Sequence, residues 1–374
     1  MTTAGGPSVS VVIPSWNGRE QLEDVLESLA AQEFDDFETI VVDNGSTDGS
    51  VASLAERWPQ VRVLALEENR GFAGAVNAGI AAGDSEFVAL LNNDVELAPG
   101  WLAATTAALK REPSAASIAS KLLEWSRRNV LDGAGDLVGW DGYCVRRGKG
   151  ERDRGQYDGS PWVLSACAAA ALYRRQALEE VGPFDERFFA YIEDVDWGLR
   201  AQLAGWDCFY EHTAVAYHVG GESSSRIAGF ELFHCHRNIL LMMVKDFPTP
   251  ALIAFVPWAL VRRLGSLARA QYRGDAAVLL RAWGAATREL PGALDARRSI
   301  QARRKRPNGE MLRLMRPAYL GAGWRSRSRS GLNGGRSAPG RVLERTAGSR
   351  SARRRRAVPI RTGGSSGGGS PASQ

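Results

Sequence analysis

Four short apolar runs, each ending in a polar cluster and separated by segments of helical periodicity, constrain this chain most. The first, "SVSVVIP" (residues 8–14), is β-branched and closed by Pro14, as a strand buried on both faces requires. Leu22, Val25, Leu26 and Leu29 then recur at helical spacing and predict a helix packed on one face of a sheet. "FETIVVD" (37–43), "VRVLAL" (61–66) and "EFVALL" (86–91) predict three further strands, with a small-residue helix over residues 73–82 before the last. Strands and helices alternating at this pace imply an α/β fold with a doubly wound, mostly parallel sheet. In such sheets ligands bind beyond the carboxyl ends of the strands. The sequence places Pro14-Ser15-Trp16-Asn17, Asp43-Asn44-Gly45-Ser46, Asn69-Arg70-Gly71 and Asn92-Asn93-Asp94 there. Four polar clusters at four strand ends exceed what loop polarity alone explains.

Composition adds bounds. The chain has 374 residues, enough for one large or two smaller α/β domains, and 44% of them are hydrophobic, as in a soluble protein with a real core. Cys144, Cys167, Cys208 and Cys235 stand far apart with no C-x-x-C pair, which argues against a zinc site or disulfide scaffold and suits a reducing cytoplasm. The first residues lack a charged-then-apolar leader, so no secretory signal is expected. The net charge of +5 misleads, because twelve Arg against one Glu follow Gly323 and leave the remainder acidic. From about residue 323 the Arg/Ser/Gly-rich tail is expected to be disordered, as are residues 1–7.

Residues 110–170 are less regular, and "LDGAGDLVGWDGYCVRRGKG" reads as long loops with short strands forming a lid or acceptor wall. Helical periodicity returns over 174–181, 194–204 and 229–246. The run "PTPALIAFVPWALVRRLGSLARAQ" holds about fourteen apolar residues and Pro257, short of the roughly twenty a spanning helix needs. It either lies in a membrane interface or packs on the domain.

Several patterns could carry chemistry. Gly71, Gly74 and Gly79 do not match G-x-G-x-x-G, and no G-K-[ST] occurs, so those routes to NAD or ATP are not indicated. In "VALLNNDVELAPGWL" a strand ends in Asn-Asn-Asp, so Asp94 suits a hard divalent cation whose other ligands are water and phosphate; the bland alternative is a helix cap. His218 closes another strand, where a lone His is more often structural than a ligand. His234 and His236 are two apart on a helix and face different ways. In "FFAYIEDVDWGLR", Val195, Leu199 and Leu203 set a helix starting near Glu193. Glu193 and Asp194 then occupy its first turn behind aromatic residues, where an ionised carboxylate could take a proton from an attacking hydroxyl. Asp196, two residues on, reads as a first-turn structural charge.

Taken together, "VSVVIPSWNG", "IVVDNGSTDGS", "ENRGFAGAVNAGI", "LLNNDVELAPGWL", "VGPFDERFFAYIEDVDWGLRAQLAGW" and "AVAYH" closely resemble the family 2 glycosyltransferases, nearest to the rhamnosyltransferase-like bacterial members. The resemblance spans roughly residues 8–245. It implies a GT-A fold, a nucleotide-diphosphate sugar donor of dTDP-rhamnose or UDP-sugar type, a Mg²⁺ or Mn²⁺ ion, and inversion at the anomeric carbon. Carried over by position, Pro14, Ser15 and Asn17 line the nucleotide pocket, Asp43 bonds the base, and Arg70 lies near base and ribose. The "NND" of Asn92, Asn93 and Asp94 stands at the family's D-x-D, with Asp94 the metal ligand and Asn92 in place of the usual first Asp. His218 completes the metal site, Asp194 is the catalytic base and Glu193 supports it. Ala168 stands where similar sequences often carry Gly beside the donor sugar.

The expected organisation is therefore a GT-A domain over 8–248, a helical extension over 249–322 with a membrane-interfacial alternative, and the tail over 323–374. The expected activity is transfer of a sugar to a hydroxyl of a cell-envelope or capsular glycan, lipid-linked, by a cytoplasmic enzyme peripheral to the inner face of the plasma membrane. Two other readings stay open. One is a non-catalytic nucleotide-sugar or glycan-binding module; the other is nucleic-acid binding through "RSRSRS" and "RRRR", which the acidic body disfavours.

Overall fold

The computed structural model describes residues 6–220 and 227–315, all within one compact unit, Met1–Arg329. The expectations for the Arg-rich tail, and for all but the end of the N-terminal stretch, lie outside the described residues. The first half alternates as the sequence requires: β1 (Val9–Ser15), α1 (Arg19–Ala30), β2 (Phe37–Asp43), α2 (Ser50–Arg57), β3 (Arg62–Ala65), α3 (Gly71–Ala82) and β4 (Phe87–Leu91). There follow β5 (Val95–Leu97), α4 (Trp101–Arg111), β6 (Ala115–Glu124), β7 (Arg127–Gly133), β8 (Asp136–Val138), β9 (Cys144–Arg146), β10 (Trp162–Val163) and β11 (Ala170–Arg174). The remainder is α5 (Arg175–Val181), α6 (Glu193–Leu203), β12 (Asp207–His218), α7 (Phe230–Asp246), α8 (Thr249–Arg273), α9 (Ala276–Ala302) and α10 (Asn308–Leu314).

The main sheet runs β10-β12-β6-β11-β4-β1-β2-β3, with β5 on β12 and β7 on β6. Its β4-β1-β2-β3 half is parallel, while β11 runs antiparallel to both β4 and β6. All seven residues of β1 are buried, which explains its unbroken β-branched run. Val9, Val11 and Ile13 pack with Leu22, Val25, Leu26 and Leu29 of α1 on one face; Val12 packs with Ala73, Ala75 and Val76 of α3 on the other. The small residues of α3 follow from this closeness, since a Cβ on Gly79 would stand 2.3 Å from Val12 Cγ1.

Two expectations need correction. Residues 110–170 are more ordered than their composition suggests, because β6 is a ten-residue strand deep in the sheet with nine residues buried. Covered on both faces, "AASIASKLLE" has no need of alternating polarity and so does not announce itself. The apolar run after residue 249 is also longer than it reads. It belongs to α8, a 25-residue helix that continues through Pro257, long and apolar enough by length and composition to cross a membrane. Only 17% of its most apolar window is buried, so α8 is not a core helix.

A third core cluster joins Val195, Leu199 and Leu203 of α6 to Ile239 and Met242 of α7, Ala286 and Ala293 of α9, and Met311 of α10. Beside it Lys245 Nζ reaches Asp185 Oδ2 and Asp196 Oδ1, each at 2.5 Å, and Arg200 Nε donates to Asp196 Oδ2 at 2.9 Å. Asp196 is thus fully buried in an ion network, a stronger tie than a first-turn charge. The C-terminal helices therefore brace the back of the helix that begins with Glu193 and Asp194.

Candidate active site

A cleft of about 540 Å³ opens over the carboxyl ends of the parallel strands, within the range of small-molecule sites. Its floor gathers Pro14, Ser15, Asn44, Asn69, Gly71, Asn92, Asn93 and Asp94, at least one residue from each of the four clusters marked in the sequence. Side-chain amides lock these loops together. Asn44 Nδ2 donates to Asn69 Oδ1 and to the Gly71 carbonyl, both at 3.0 Å, and Asn93 Nδ2 donates to Ser15 Oγ at 3.2 Å. Asn17, Asp43 and Arg70 stand outside the lining of this cleft. Asn17 Oδ1 accepts from the Thr47 amide at 2.8 Å, and Arg70 Nη2 is paired with Glu186 Oε2 at 3.0 Å. Asp43 is buried, and its Oδ1 has no hydrogen-bond partner.

The opposite wall is the aromatic approach to α6. Phe189, Tyr191 and Ile192 have φ of 62°, 69° and 70°, the left-handed region that costs residues other than Gly about 1–3 kcal/mol each. What holds them is Asn238 of α7, fully buried, whose Nδ2 lies 2.9, 2.9 and 2.7 Å from the carbonyls of Phe188, Ala190 and Tyr191. Arg237 Nε donates to Asn238 Oδ1 at 3.0 Å, which fixes the amide's orientation. The elbow also presses on the cleft floor at Gly71. Gly71 has φ 72°, and a Cβ there would stand 2.4 Å from the Phe189 carbonyl oxygen. His234 stacks on Phe189 at 5.5 Å, and burial with Arg237 nearby depresses its pKa to about 4, so it is neutral.

The elbow delivers Glu193 and Asp194 into the cleft. Asp194 Oδ2 accepts from the Ala168 amide at 3.1 Å and Oδ1 from the Val195 amide at 2.8 Å. Burial raises its pKa; these amides and Arg146 oppose the rise without cancelling it. Glu193 is buried with Oε2 unbonded, and burial, with the Asp194 charge adding to it, holds its carboxyl well above the ordinary range. Asp136 of β8, which accepts from Ser165 Oγ at 3.2 Å, is pushed up to about 8 by burial and by Asp194.

On the floor, Asp94 Oδ2 accepts from the Gly220 amide at 3.1 Å, while Asp94 Oδ1 and His218 Nε2 face each other at 3.4 Å. Both atoms are buried without a hydrogen-bond partner, an arrangement that fits a cation between them. Among the described residues no cluster of three or more His, Cys, Asp or Glu forms a cation cage, so two protein ligands would leave the other positions to water and substrate oxygens.

Sequence reasoning missed Asp132, Asp136, Arg146 and Lys149, all from the Gly-rich segment read as a lid or wall. Asp132 accepts from Lys149 Nζ at 2.7 Å and from Arg146, and its Oδ2 lies 2.8 Å from His218 Nδ1. The only signal was the pair of carboxylates four apart in "LDGAGD".

This sheet order with a cleft at the strand ends defines a GT-A fold. Residues 10–182 match the family described as Glycosyl transferase family 2. The N-acetylglucosaminyl-diphospho-decaprenol L-rhamnosyltransferase of Mycobacterium tuberculosis is 29% identical over 259 residues, covering 62% of this chain and 83% of that protein. O-antigen biosynthesis protein RfbC of Myxococcus xanthus is 31% identical over 211 residues, 54% of this chain but 16% of that protein. The fold is shared with S. aureus TarS 1–349 in complex with UDP, at a TM-score of 0.50 and 18% identity over 79% of this chain and 90% of that one.

Proposed function

We propose that the protein is an inverting, divalent-cation-dependent glycosyltransferase that moves a sugar, of rhamnosyl type on the likeness to the mycobacterial relative, from a nucleotide-diphosphate donor to a lipid-linked envelope glycan. The observation that carries this is the placement of Asp194, a half-buried carboxylate on a braced elbow, in the cleft that also holds Asp94 and His218. In the step proposed, an acceptor hydroxyl oxygen attacks the anomeric carbon, the bond to the donor diphosphate breaks, and Asp194 takes the hydroxyl proton. One carboxylate base suffices for a single inverting displacement. Asp94 and His218 would hold Mg²⁺ or Mn²⁺, which when bound neutralises charge on the departing diphosphate. Glu193, whose carboxyl burial and the Asp194 charge hold well above the ordinary range, suits orienting the acceptor. Ser15, Asn92 and Asn93 suit the nucleotide side, with Pro14 packing there and with Asp43, Asn17 and Arg70 set behind or beside it.

Thermal melting with UDP-, dTDP- and GDP-sugars and Mn²⁺ tests the donor half. One nucleotide class should raise the melting temperature, corresponding to about 2.7 kcal/mol at a hundredfold excess over Kd, and EDTA should abolish the rise. No response to any of the three would overturn the reading.

The acceptor half rests on α8. Ile253, Trp258, Val261 and Leu264 are exposed, the helix contains no Asp or Glu, and its Arg262 lines the cleft. A face of this kind suits an anionic lipid surface, with each nearby cation contributing roughly 1 kcal/mol. On this reading the enzyme works at the inner face of the plasma membrane, its cleft beside the lipid headgroups. The full chain should float with anionic vesicles, and combined Trp258→Ser, Val261→Ser and Leu264→Ser substitution should remove most of that binding. Absence of flotation by the unsubstituted protein would reject the lipid-surface part.

A further inference from the structure

We propose that Asp132 is a positioning residue that fixes His218 in the tautomer able to ligate a cation; the inference rests on the divalent-cation reading above. His218 Nδ1 lies 2.8 Å from Asp132 Oδ2 and 3.4 Å from Arg146 Nη1, and its Nε2 faces Asp94 Oδ1 at 3.4 Å. Two neutral arrangements are conceivable. In the first, Nδ1–H donates to Asp132 and the Nε2 lone pair points at the Asp94 side. In the second, Nδ1 accepts from Arg146 and Nε2–H donates to Asp94.

The distances select the first. A lone pair on Nδ1 at 2.8 Å from a carboxylate oxygen would be repulsive, whereas an N–H there makes a charge-assisted hydrogen bond. Asp132 is held in place by two cations, Lys149 Nζ at 2.7 Å and the Arg146 guanidinium, which favour it as an anion. It stays an anion and an acceptor. With Nδ1–H so committed, Nε2 and Asp94 Oδ1 are two buried acceptors facing each other, and only a positive charge between or on them relieves that. Outer carboxylates of this kind raise the basicity of a histidine ligand and set its ring plane, and losing one typically costs 10–100-fold in metal affinity.

The chain has four His, so ¹⁵N-histidine spectra of the full-length protein are tractable, with His218 assigned by its loss in His218→Gln. With Mg²⁺ present at alkaline pH, His218 should show the Nδ1–H tautomer, and substoichiometric Mn²⁺ should broaden its ring signals. Asp132→Ala should weaken Mn²⁺ binding, followed by electron paramagnetic resonance, by 10–100-fold, and Asp132→Asn, which keeps an acceptor, should recover part of it. An Nε2–H tautomer, an imidazolium that persists with Mg²⁺, or Mn²⁺ affinity in a folded Asp132→Ala within twofold of wild type overturns the inference. Should that variant fail to fold, the tautomer of the unsubstituted protein decides. Failure of wild type to bind Mn²⁺, alone or with UDP, dTDP or GDP, is the separate outcome that removes the cation reading and this inference with it.

Discussion

Asp194→Asn is expected to lower turnover on the order of 10²–10⁴-fold while leaving donor affinity within about a factor of three. The substitution keeps the side chain's shape but removes the ability to accept a proton, and it leaves one of the Ala168 and Val195 amides without its acceptor. Because burial raises the Asp194 pKa, the acid limb of the wild-type rate should lie above the 3.9 of an ordinary Asp, with activity rising as pH rises through it. Asp136 and Glu193 share this corner, so the apparent value belongs to the group. The sign for stability is opposite. Carboxylates with raised folded-state pKa values favour the fold fully below the unfolded value and lose that contribution as pH climbs to the folded one. At neutral pH the ionised base is therefore a burden on the fold, and its removal offsets the amide acceptor that the Asn variant loses, so the two should melt within a few degrees of each other. A variant with near wild-type turnover, or one whose lost activity tracks a lost fold, sinks the assignment.

Lys245→Ala carries the largest expected loss of stability, about 3–5 kcal/mol, because removing one partner of a buried ion network leaves charge uncompensated. Lys245 is buried and bridges Asp185 and the fully buried Asp196. Burial alone would raise the pKa of Asp196, but Lys245 and Arg200 more than reverse it; at Asp185, Arg187 and Lys245 do the same. Depressed carboxylates stabilise the fold above their unfolded pKa and lose that contribution as pH falls toward the folded value. The wild-type advantage in urea unfolding should hence be full at pH 7 and shrink below about pH 4. Lys245→Met, which keeps the apolar stem, should lose less than Lys245→Ala. A loss under about 1 kcal/mol at pH 7 for the Ala variant would show that the network contributes little.

The parallel half of the sheet was legible because burial on both faces writes itself as unbroken β-branched runs, and the turn chemistry after each run marked the cleft floor. Strand β6 was not, since Ala and Ser in a strand covered on both sides look like loop. The start of α6 could be read from Val195, Leu199 and Leu203, but the three left-handed residues before it could not. Their φ values are imposed by Asn238, some fifty residues later, with no local Gly to announce a turn. Asp132 stayed hidden for a related reason: its role depends on His218, 86 residues away and brought near by pairing of β12 with β6 and β6 with β7. Arg70 shows the converse. Its position in "NRG" suggested the base and ribose, yet its side chain is engaged by Glu186. Helix α8 was misjudged in length because its apolar residues alone were counted, whereas the helix passes through Pro257 and continues to Arg273.

The most direct test of the central claim is release of nucleoside diphosphate from UDP-, dTDP- and GDP-sugars by the full-length protein with Mn²⁺ and a bacterial polyprenyl-lipid extract as acceptor. Wild type should release nucleoside diphosphate from one nucleotide class, and Asp194→Asn none above background. Release from none of the three, or equal release by the Asn variant, would contradict it.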